Sequence, residues 1–290
     1  MKGFVAWLVA QRIRRVVFIA GLFPLPLLGM ISAAIVVMAA QVRGLRETVL
    51  DCVLALVLLA GLAWFAGMDV PVLLGSAAIS WLVWLALGTI VARTGSLTLA
   101  VQAAVIIALA GLVVFSFVIG DPTAYWGRAL EVLYADLAKQ GFEITANIEQ
   151  QAKLMSGIVI AGSLTGGLIA LLLGSAWASR LSDGNYAQQF VELRLGYVIG
   201  GLAALAGVAG LFGYSFDGAL LIFGVAFVFH GIAVVAWWSR RRNWPGGWWI
   251  GLCILPILLP DFSIFILALL AMLGFVDNWY GLRRAPAMMS

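Results

Sequence analysis

The chain has 290 residues, of which 64% are hydrophobic and only 10% are charged, and its mean hydropathy is +1.09. Soluble chains have about 45–50% apolar and about 25% charged residues, so this composition excludes a soluble enzyme, a nucleic-acid-binding module and a secreted disulfide scaffold. Because apolar stretches take up most of the chain, the loops are too short to hold a separate folded domain. We therefore expect a single transmembrane helical domain over residues 1–290.

Eight apolar stretches follow one another along the chain. The first, 16–41, is interrupted by Pro24 and Pro26, and the last, 247–282, by Pro256 and Pro260. Proline inside a helical pattern ends or kinks the helix. The six stretches between them reach the length of about 20 residues that a helix needs to cross the membrane. These six predicted spans are 48–66, 70–92, 96–119, 155–177, 195–213 and 217–238.

The basic residues indicate how the two proline-broken stretches run. Lys and Arg near the ends of spans gather on the cytoplasmic side. If both stretches return to the side on which they start, all of the 17 Lys and Arg residues lie on one side except Arg128, Lys139 and Lys153. We therefore predict an all-α polytopic membrane protein with six full transmembrane helices and two proline-broken terminal hairpins, about eight apolar helical segments. Both termini are then cytoplasmic.

The longest polar segment, 121–153, lies on the outer side in this topology. Trp126, Leu130, Leu133, Tyr134 and Leu137 recur there at helical spacing, which predicts an amphipathic helix on the outer surface. Such a helix either caps the bundle or rests at the lipid interface. The alternative is that it covers a cavity.

Charged residues mark two places on the cytoplasmic side. Arg180, Glu192 and Arg194 lie in the polar segment 178–194 and are candidates for binding a partner protein. The second place follows the sixth span, where tryptophans flank three basic residues and predict contact with anionic lipids of the bilayer. These basic residues are Arg240, Arg241 and Arg242.

Three polar residues at membrane depth are candidates for binding a small molecule or an ion. They are His230, Asp261 and Gln102. His230 shares its helical face with small alanines, so it is expected to point into the bundle. There it either binds a neighbouring carbonyl or acts in a proton relay. Asp261 follows two prolines and either binds a cation beside free carbonyls or caps the next helix.

Two further carboxylates, Asp51 and Asp277, fall nearer the ends of their spans. We expect both of them to lie at the membrane interface. The chain also lacks the common hydrolase and metalloprotease motifs, and its single histidine leaves no room for a histidine-based metal site. We therefore expect no catalytic residues, no metal and no cofactor, and the protein is predicted not to be an enzyme.

Several short motifs carry a resemblance to a known family. They are Pro24, Ser32-Ala-Ala, Phe190-Val-Glu192-Leu-Arg194-Leu-Gly196, His230-Gly231, Leu-Pro-Asp261, Gly274-Phe-Val-Asp277-Asn-Trp279 and Arg283-Arg284. Together they resemble the YybS-like uncharacterised bacterial membrane proteins, over nearly the whole chain. The resemblance implies a location in the bacterial inner membrane. A remoter similarity is to the substrate-binding S components of energy-coupling-factor transporters, because 16–41 has their layout of two short helices around a proline turn.

Two functions are consistent with these features. The first is a transporter-like protein that binds a small molecule or an ion in the bundle, with His230 and Asp261 near the site. The alternative is a membrane scaffold of the cell-envelope machinery that binds partner proteins through its cytoplasmic segment. A transporter needs a polar, hydrated cavity, although an S-component-like binder of an apolar vitamin needs few polar groups. The interior of the bundle therefore distinguishes the two hypotheses.

Overall fold

The computed structural model describes residues 2–25, 27–142, 147–181, 184–244, 251, 254 and 260–283. Helix is the only regular secondary structure in these ranges, and seven helices are long and apolar enough to cross a membrane. The protein is therefore an all-α polytopic membrane protein, as predicted. The helices are α1 (Lys2–Ala10), α2 (Arg12–Leu22), α3 (Gly29–Val42), α4 (Leu45–Phe65), α5 (Val70–Thr94), α6 (Leu97–Ile119), α7 (Pro122–Lys139), α8 (Ile148–Ala178), α9 (Tyr186–Val191), α10 (Gly196–Leu211), α11 (Asp217–Arg241) and α12 (Pro260–Tyr280).

Five of the six predicted spans are single long apolar helices in the structure, and the sixth is an apolar stretch that contains two helices and is long enough to cross a membrane. The six spans correspond to α4, α5, α6, α8, α11 and the stretch Tyr186–Leu211, which joins α9 to α10. The amphipathic segment 121–153 begins with α7, where Asp121 caps the helix by accepting from the amide of Ala124 at 3.0 Å. Leu130 in the predicted apolar stripe is buried. The segment therefore has the predicted amphipathic helix.

The N-terminal stretch 16–41 is broken as predicted. Its two helices, α2 and α3, have 11 and 14 residues, and both are shorter than the about 20 residues that a crossing needs. The chain turns between them near Pro24, and the hydroxyl of Ser32 donates to the carbonyl of Ile19 at 2.8 Å. This hydrogen bond joins the two arms of the hairpin.

The C-terminal stretch 247–282 differs from the prediction of two short arms. Its second arm, α12, has 21 residues and is long enough to cross a membrane. Pro260 is the first residue of α12, a position where the missing amide hydrogen costs no helical hydrogen bond. The proline therefore begins this helix and does not break it. Pro256 and most of the predicted first arm lie outside the described residues.

The contacts within the chain group the helices into two compact units. The first unit comprises Met1–Ala104 and Thr165–Leu193, and the second comprises Val105–Leu164 and Arg194–Ser290. Each unit is therefore assembled from two separate parts of the chain. In the first unit α3 is the central helix, since every residue from Ser32 to Ala40 is buried.

The second unit is built around α11, α12 and α10. Phe227 packs against Phe275 with ring centroids 5.2 Å apart, and His230 lies against Asp277. From the first pair to the second, the residue numbers rise along both helices. We infer that α11 and α12 run parallel to each other. It follows that α11 ends and α12 begins at opposite ends of this unit.

Candidate site in the second unit

A buried cluster of one histidine, one aspartate and one arginine lies between α11 and the end of α12. His230 is wholly buried, and Asp277 and Arg283 are 1% and 7% exposed. Arg283 donates from Nε and Nη2 to Oδ2 of Asp277, at 3.0 and 2.7 Å. The imidazole Nε2 of His230 lies 2.9 Å from the same Oδ2 and 2.8 Å from Arg283 Nη2. We call these three residues the triad.

The imidazole Nε2 of His230 faces two partners that it cannot serve at the same time. A carboxylate only accepts hydrogen bonds, whereas a guanidinium only donates them. Nε2 must therefore carry a hydrogen to bind Asp277, or lack one to accept from Arg283. The triad thus has two arrangements that differ in the position of one proton on the ring.

Two polar atoms of the triad point away from these contacts. Nδ1 of His230 and Oδ1 of Asp277 are both buried and have no hydrogen-bond partner among the described residues. A buried unsatisfied polar atom costs about 1–3 kcal/mol. Each of the two atoms can therefore bind a water molecule, a proton or a polar group of a ligand.

Glycines bring the helix backbones close together at the triad. A Cβ on Gly231 would lie 2.1 Å from the carbonyl oxygen of Leu270, and a Cβ on Gly274 would lie 2.2 Å from that of Phe227. Only glycine fits at such distances. Because Gly231 follows His230 directly, the close approach of the two helix backbones also brings the imidazole of His230 within hydrogen-bonding distance of Asp277.

Asn278 joins the end of α12 to the start of α10. Its side-chain oxygen accepts from the amide of Gly196 at 2.9 Å, and its Nδ2 donates to the carbonyl of the same residue at 3.0 Å. A Cβ on Gly200 would meet this Nδ2 at 2.5 Å. The lack of a side chain at Gly200 therefore leaves room for the side chain of Asn278. The hydrogen bonds of Asn278 in turn fix the position of the neighbouring Asp277.

An apolar groove lies beside the triad. Its volume is about 540 Å³, within the range of about 300–1,000 Å³ usual for small-molecule sites. Phe227 and Phe275 form part of its wall, and the ring of Phe227 also stacks on the imidazole of His230 with centroids 6.4 Å apart. The lining residues are Ala203, Ala204, Gly207, Val208, Leu211, Leu220, Phe223, Gly224, Phe227, Ala271, Met272 and Phe275. A molecule in this groove would press on a side chain that touches the triad.

The other predicted ligand-binding residues lie elsewhere. Asp261 is exposed in the first turn of α12, whereas the triad uses Asp277 near the other end of that helix. Gln102 is half-buried in α6 and belongs to the first unit. The structure therefore brings His230 together with neither of them.

The predicted partner-binding residues are all on the surface. Arg180, Glu192 and Arg194 are exposed, and Glu192 accepts a hydrogen bond from Gln188. The three basic residues at the end of α11 are exposed as well, and two of them lie over tryptophan rings. These are Arg240, Arg241 and Arg242.

Asp51 and Asp277, which the sequence places nearer the ends of their spans, are both fully buried in ion pairs. Asp51 accepts from Arg15 Nε at 2.6 Å in the first unit, and Asp277 belongs to the triad. Charges are rare near membrane depth and normally paired, so an arginine near each aspartate was the available signal. Asp277 and Arg283 lie six residues apart at the end of one helix.

No cluster of three His, Cys, Asp or Glu residues suited to a metal ion occurs in the described part of the chain. The triad has one carboxylate, one imidazole and one permanent cation. The cation repels a metal ion, so proton exchange and hydrogen bonding are the chemistry that this donor set supports.

Comparison with known proteins places the chain in a family. No curated protein and no solved structure matches it. A family model described as "Predicted membrane protein (DUF2232)" matches residues 128–278, which is just over half of the chain and contains His230 and Asp277. The chain therefore belongs to this family of predicted membrane proteins.

Proposed function

We propose that the protein is a transporter-like membrane protein whose second unit binds a small apolar molecule and exchanges a proton at His230. The observation that carries this proposal is the buried triad, in which Nε2 of one imidazole faces both a carboxylate and a guanidinium. A purely structural pair needs only Asp277 and Arg283, which already neutralise each other. The imidazole adds a group that can take up or release a proton.

The groove provides a physical link between binding and protonation. Phe227 forms part of the groove and stacks on His230, while Phe275 contacts Phe227 and lies two residues before Asp277. A bound molecule that moves Phe227 changes the distance from the imidazole to its two partners. The proton then favours the other arrangement of the triad. Such coupling between a ligand site and a proton site is what a proton-linked transporter requires.

Filling the groove tests this function. A Cβ on Gly207 meets no atom within 4 Å, so Gly207→Phe is expected to fold and to occupy the space of the ligand. Native mass spectrometry of protein extracted gently from its own membrane should show a bound small molecule in the wild type and none in Gly207→Phe. The measurement compares the ligand-bound fraction of the two proteins.

Gly201→Phe is the matched control for this experiment. Gly201 lies on the same helix, its Cβ position is also open, and it does not line the groove. This variant should keep the ligand. Binding of phospholipid alone, or equal loss of ligand in both variants, would contradict the proposed small-molecule site.

We further propose a bacterial inner-membrane location with both termini in the cytoplasm, as the YybS-like resemblance and the positive-inside rule imply. The hydrogen bonds between Asn278 and Gly196 support the side assigned to the C-terminus. They hold the end of α12 beside the start of α10. The start of α10 directly follows the segment 178–194, which the basic residues assign to the cytoplasmic side.

Cysteine labelling in sealed cells tests this topology. In a background with Cys52 and Cys253 replaced by alanine, Ala135→Cys should react with an impermeant reagent from outside. Lys2→Cys and Met288→Cys should react only after the membrane is opened. Position 288 lies outside the described residues and is used only as a label. Reaction of Met288→Cys in sealed cells would mean that the C-terminus is external and would refute this topology.

The alternative function, a scaffold that binds a partner protein, is supported by the exposure of Arg180, Glu192 and Arg194. The mass spectrum described above also distinguishes it from ligand binding. A protein that copurifies with the wild type and is lost in Arg180→Glu, together with an empty groove, would favour the scaffold. A stoichiometric small molecule and no such partner would favour the transporter-like function.

A further inference from the structure

A second apolar groove lies in the first unit, far in sequence from the triad. It runs between α2 and α4, and its volume is about 540 Å³. Its walls are aliphatic, and Arg12 is the only charged residue among those that line it. The lining residues are Arg12, Ile13, Val16, Val17, Leu54, Val57 and Leu58.

Arg12 lines this groove, and its side chain is partly exposed. The side chain is 45% exposed, and its Nε forms an ion pair with Oδ1 of Asp51 at 3.0 Å. Asp51 already has a fully buried partner, because Arg15 donates to its Oδ2 at 2.6 Å. The charge of Asp51 is therefore balanced by Arg15, and the partly exposed Arg12 is among the residues that line the groove.

The part of the sequence that contains Arg12 has an excess of positive charge. Between residues 11 and 55 the sequence has five arginines, Arg12, Arg14, Arg15, Arg43 and Arg46, and only two acidic residues, Glu47 and Asp51. In addition, α2 begins at Arg12 with no side-chain cap and no acidic residue in its first turn. The free amides at such a helix start add a partial positive charge. The polar end of the groove thus favours an anion.

We propose that this groove binds one anionic phospholipid, with an acyl chain between α2 and α4 and the phosphate on Arg12. An aliphatic channel with a guanidinium at one end matches the two parts of such a lipid. The exposed walls support an acyl chain as the occupant, since Ile13 and Val57 are 69% and 68% exposed in a chain that spans a membrane. Neither feature is explained by the small-molecule site of the second unit.

Lipid exchange followed by native mass spectrometry tests this proposal. Protein in mild detergent is mixed with phosphatidylglycerol or phosphatidylcholine of the same palmitoyl and oleoyl chains. The wild type should retain one phosphatidylglycerol in preference to phosphatidylcholine. Arg12→Gln should lower the retained phosphatidylglycerol about fivefold, the effect of about one basic residue on an anionic lipid. Arg93→Gln, which removes an exposed arginine from α5, should leave it unchanged.

A second pair of variants tests the apolar part of the groove without changing any charge. Val57→Trp should fill the groove and reduce retention of the lipid, whereas Ile79→Trp, at a 69% exposed position on α5, should not. Glycerol 3-phosphate has the charge of the headgroup without the chains and should fail to displace the lipid. Equal retention of the two lipids, or equal effects of Arg12→Gln and Arg93→Gln, would overturn the proposal.

Discussion

Replacing Asp277 by asparagine is expected to lower the free energy of unfolding by about 3–5 kcal/mol. The change removes the only negative charge from the triad, beside the guanidinium of Arg283, which is 7% exposed. Removing the carboxylate partner of a buried charge is among the most costly changes that a single substitution can make. Thermal unfolding in detergent, followed by tryptophan fluorescence, measures the loss.

Asp261→Asn is the matched control, because it removes the same charge from an exposed position on the same helix. Its effect should stay within about 0.5 kcal/mol. The double variant Asp277→Leu with Arg283→Leu should recover much of the stability, since no charge is then buried. If Asp277→Asn and Asp261→Asn are equally stable, the buried ion pair does not exist in the membrane protein.

Gly231→Val is expected to destabilise the second unit by about 3 kcal/mol or more. A Cβ at this position would lie 2.1 Å from the carbonyl oxygen of Leu270, and a backbone atom cannot turn aside as a flexible side chain can. The two helices would have to separate, and the imidazole of His230 would move away from Asp277. The same unfolding measurement in detergent detects the loss.

Gly224→Val provides the comparison for this variant. Gly224 lies on α11 two turns before Gly231, and its Cβ position meets no atom within 4 Å. Valine there should cost far less, because only the intrinsic helix preference changes. An equally small effect at both positions would show that α11 and α12 do not approach each other as closely as described.

The apolar lengths of the sequence were sufficient to predict the six spans and the broken N-terminal hairpin. The burial of His230 was also predictable, because an ionisable group at mid-span is costly in lipid and small alanines share its helical face. The structure confirms this burial and shows Ala226 and Ala233 fully buried beside it. These features depend on composition and on spacing within one helix.

The partners of His230 could not be identified in the same way. Asp277 is 47 residues away, and its position three residues before the end of α12 resembles that of an interfacial carboxylate. Its burial follows from the glycine contacts between α11 and α12 and from the binding of Asn278 to Gly196. Contacts of this kind depend on tertiary packing, which the periodicity of one helix does not show. Asp261, by contrast, was predicted as a candidate for binding an ion because two prolines precede it.

The length of α12 was missed for a different reason. Two prolines in the long apolar stretch 247–282 favoured a break, and Pro260 instead occupies the first helical position, where proline is well tolerated. The same local sequence is compatible with both outcomes. Only the position of the first helical hydrogen bond distinguishes them.

Nitrogen-15 nuclear magnetic resonance of protein labelled only in histidine tests the central claim most directly, because His230 is the only histidine and gives the only ring signals. The charges that act on the ring are Asp277, Arg283 and, from the segment just before α10, Arg194. We expect a neutral ring with its hydrogen on Nε2 at high pH, since the other tautomer leaves a buried Nδ1 hydrogen without a partner. Acidification should convert it to imidazolium, with a midpoint that Gly207→Phe shifts and Gly201→Phe does not. A spectrum that changes neither with pH nor with the occupancy of the groove would contradict a proton-exchanging triad.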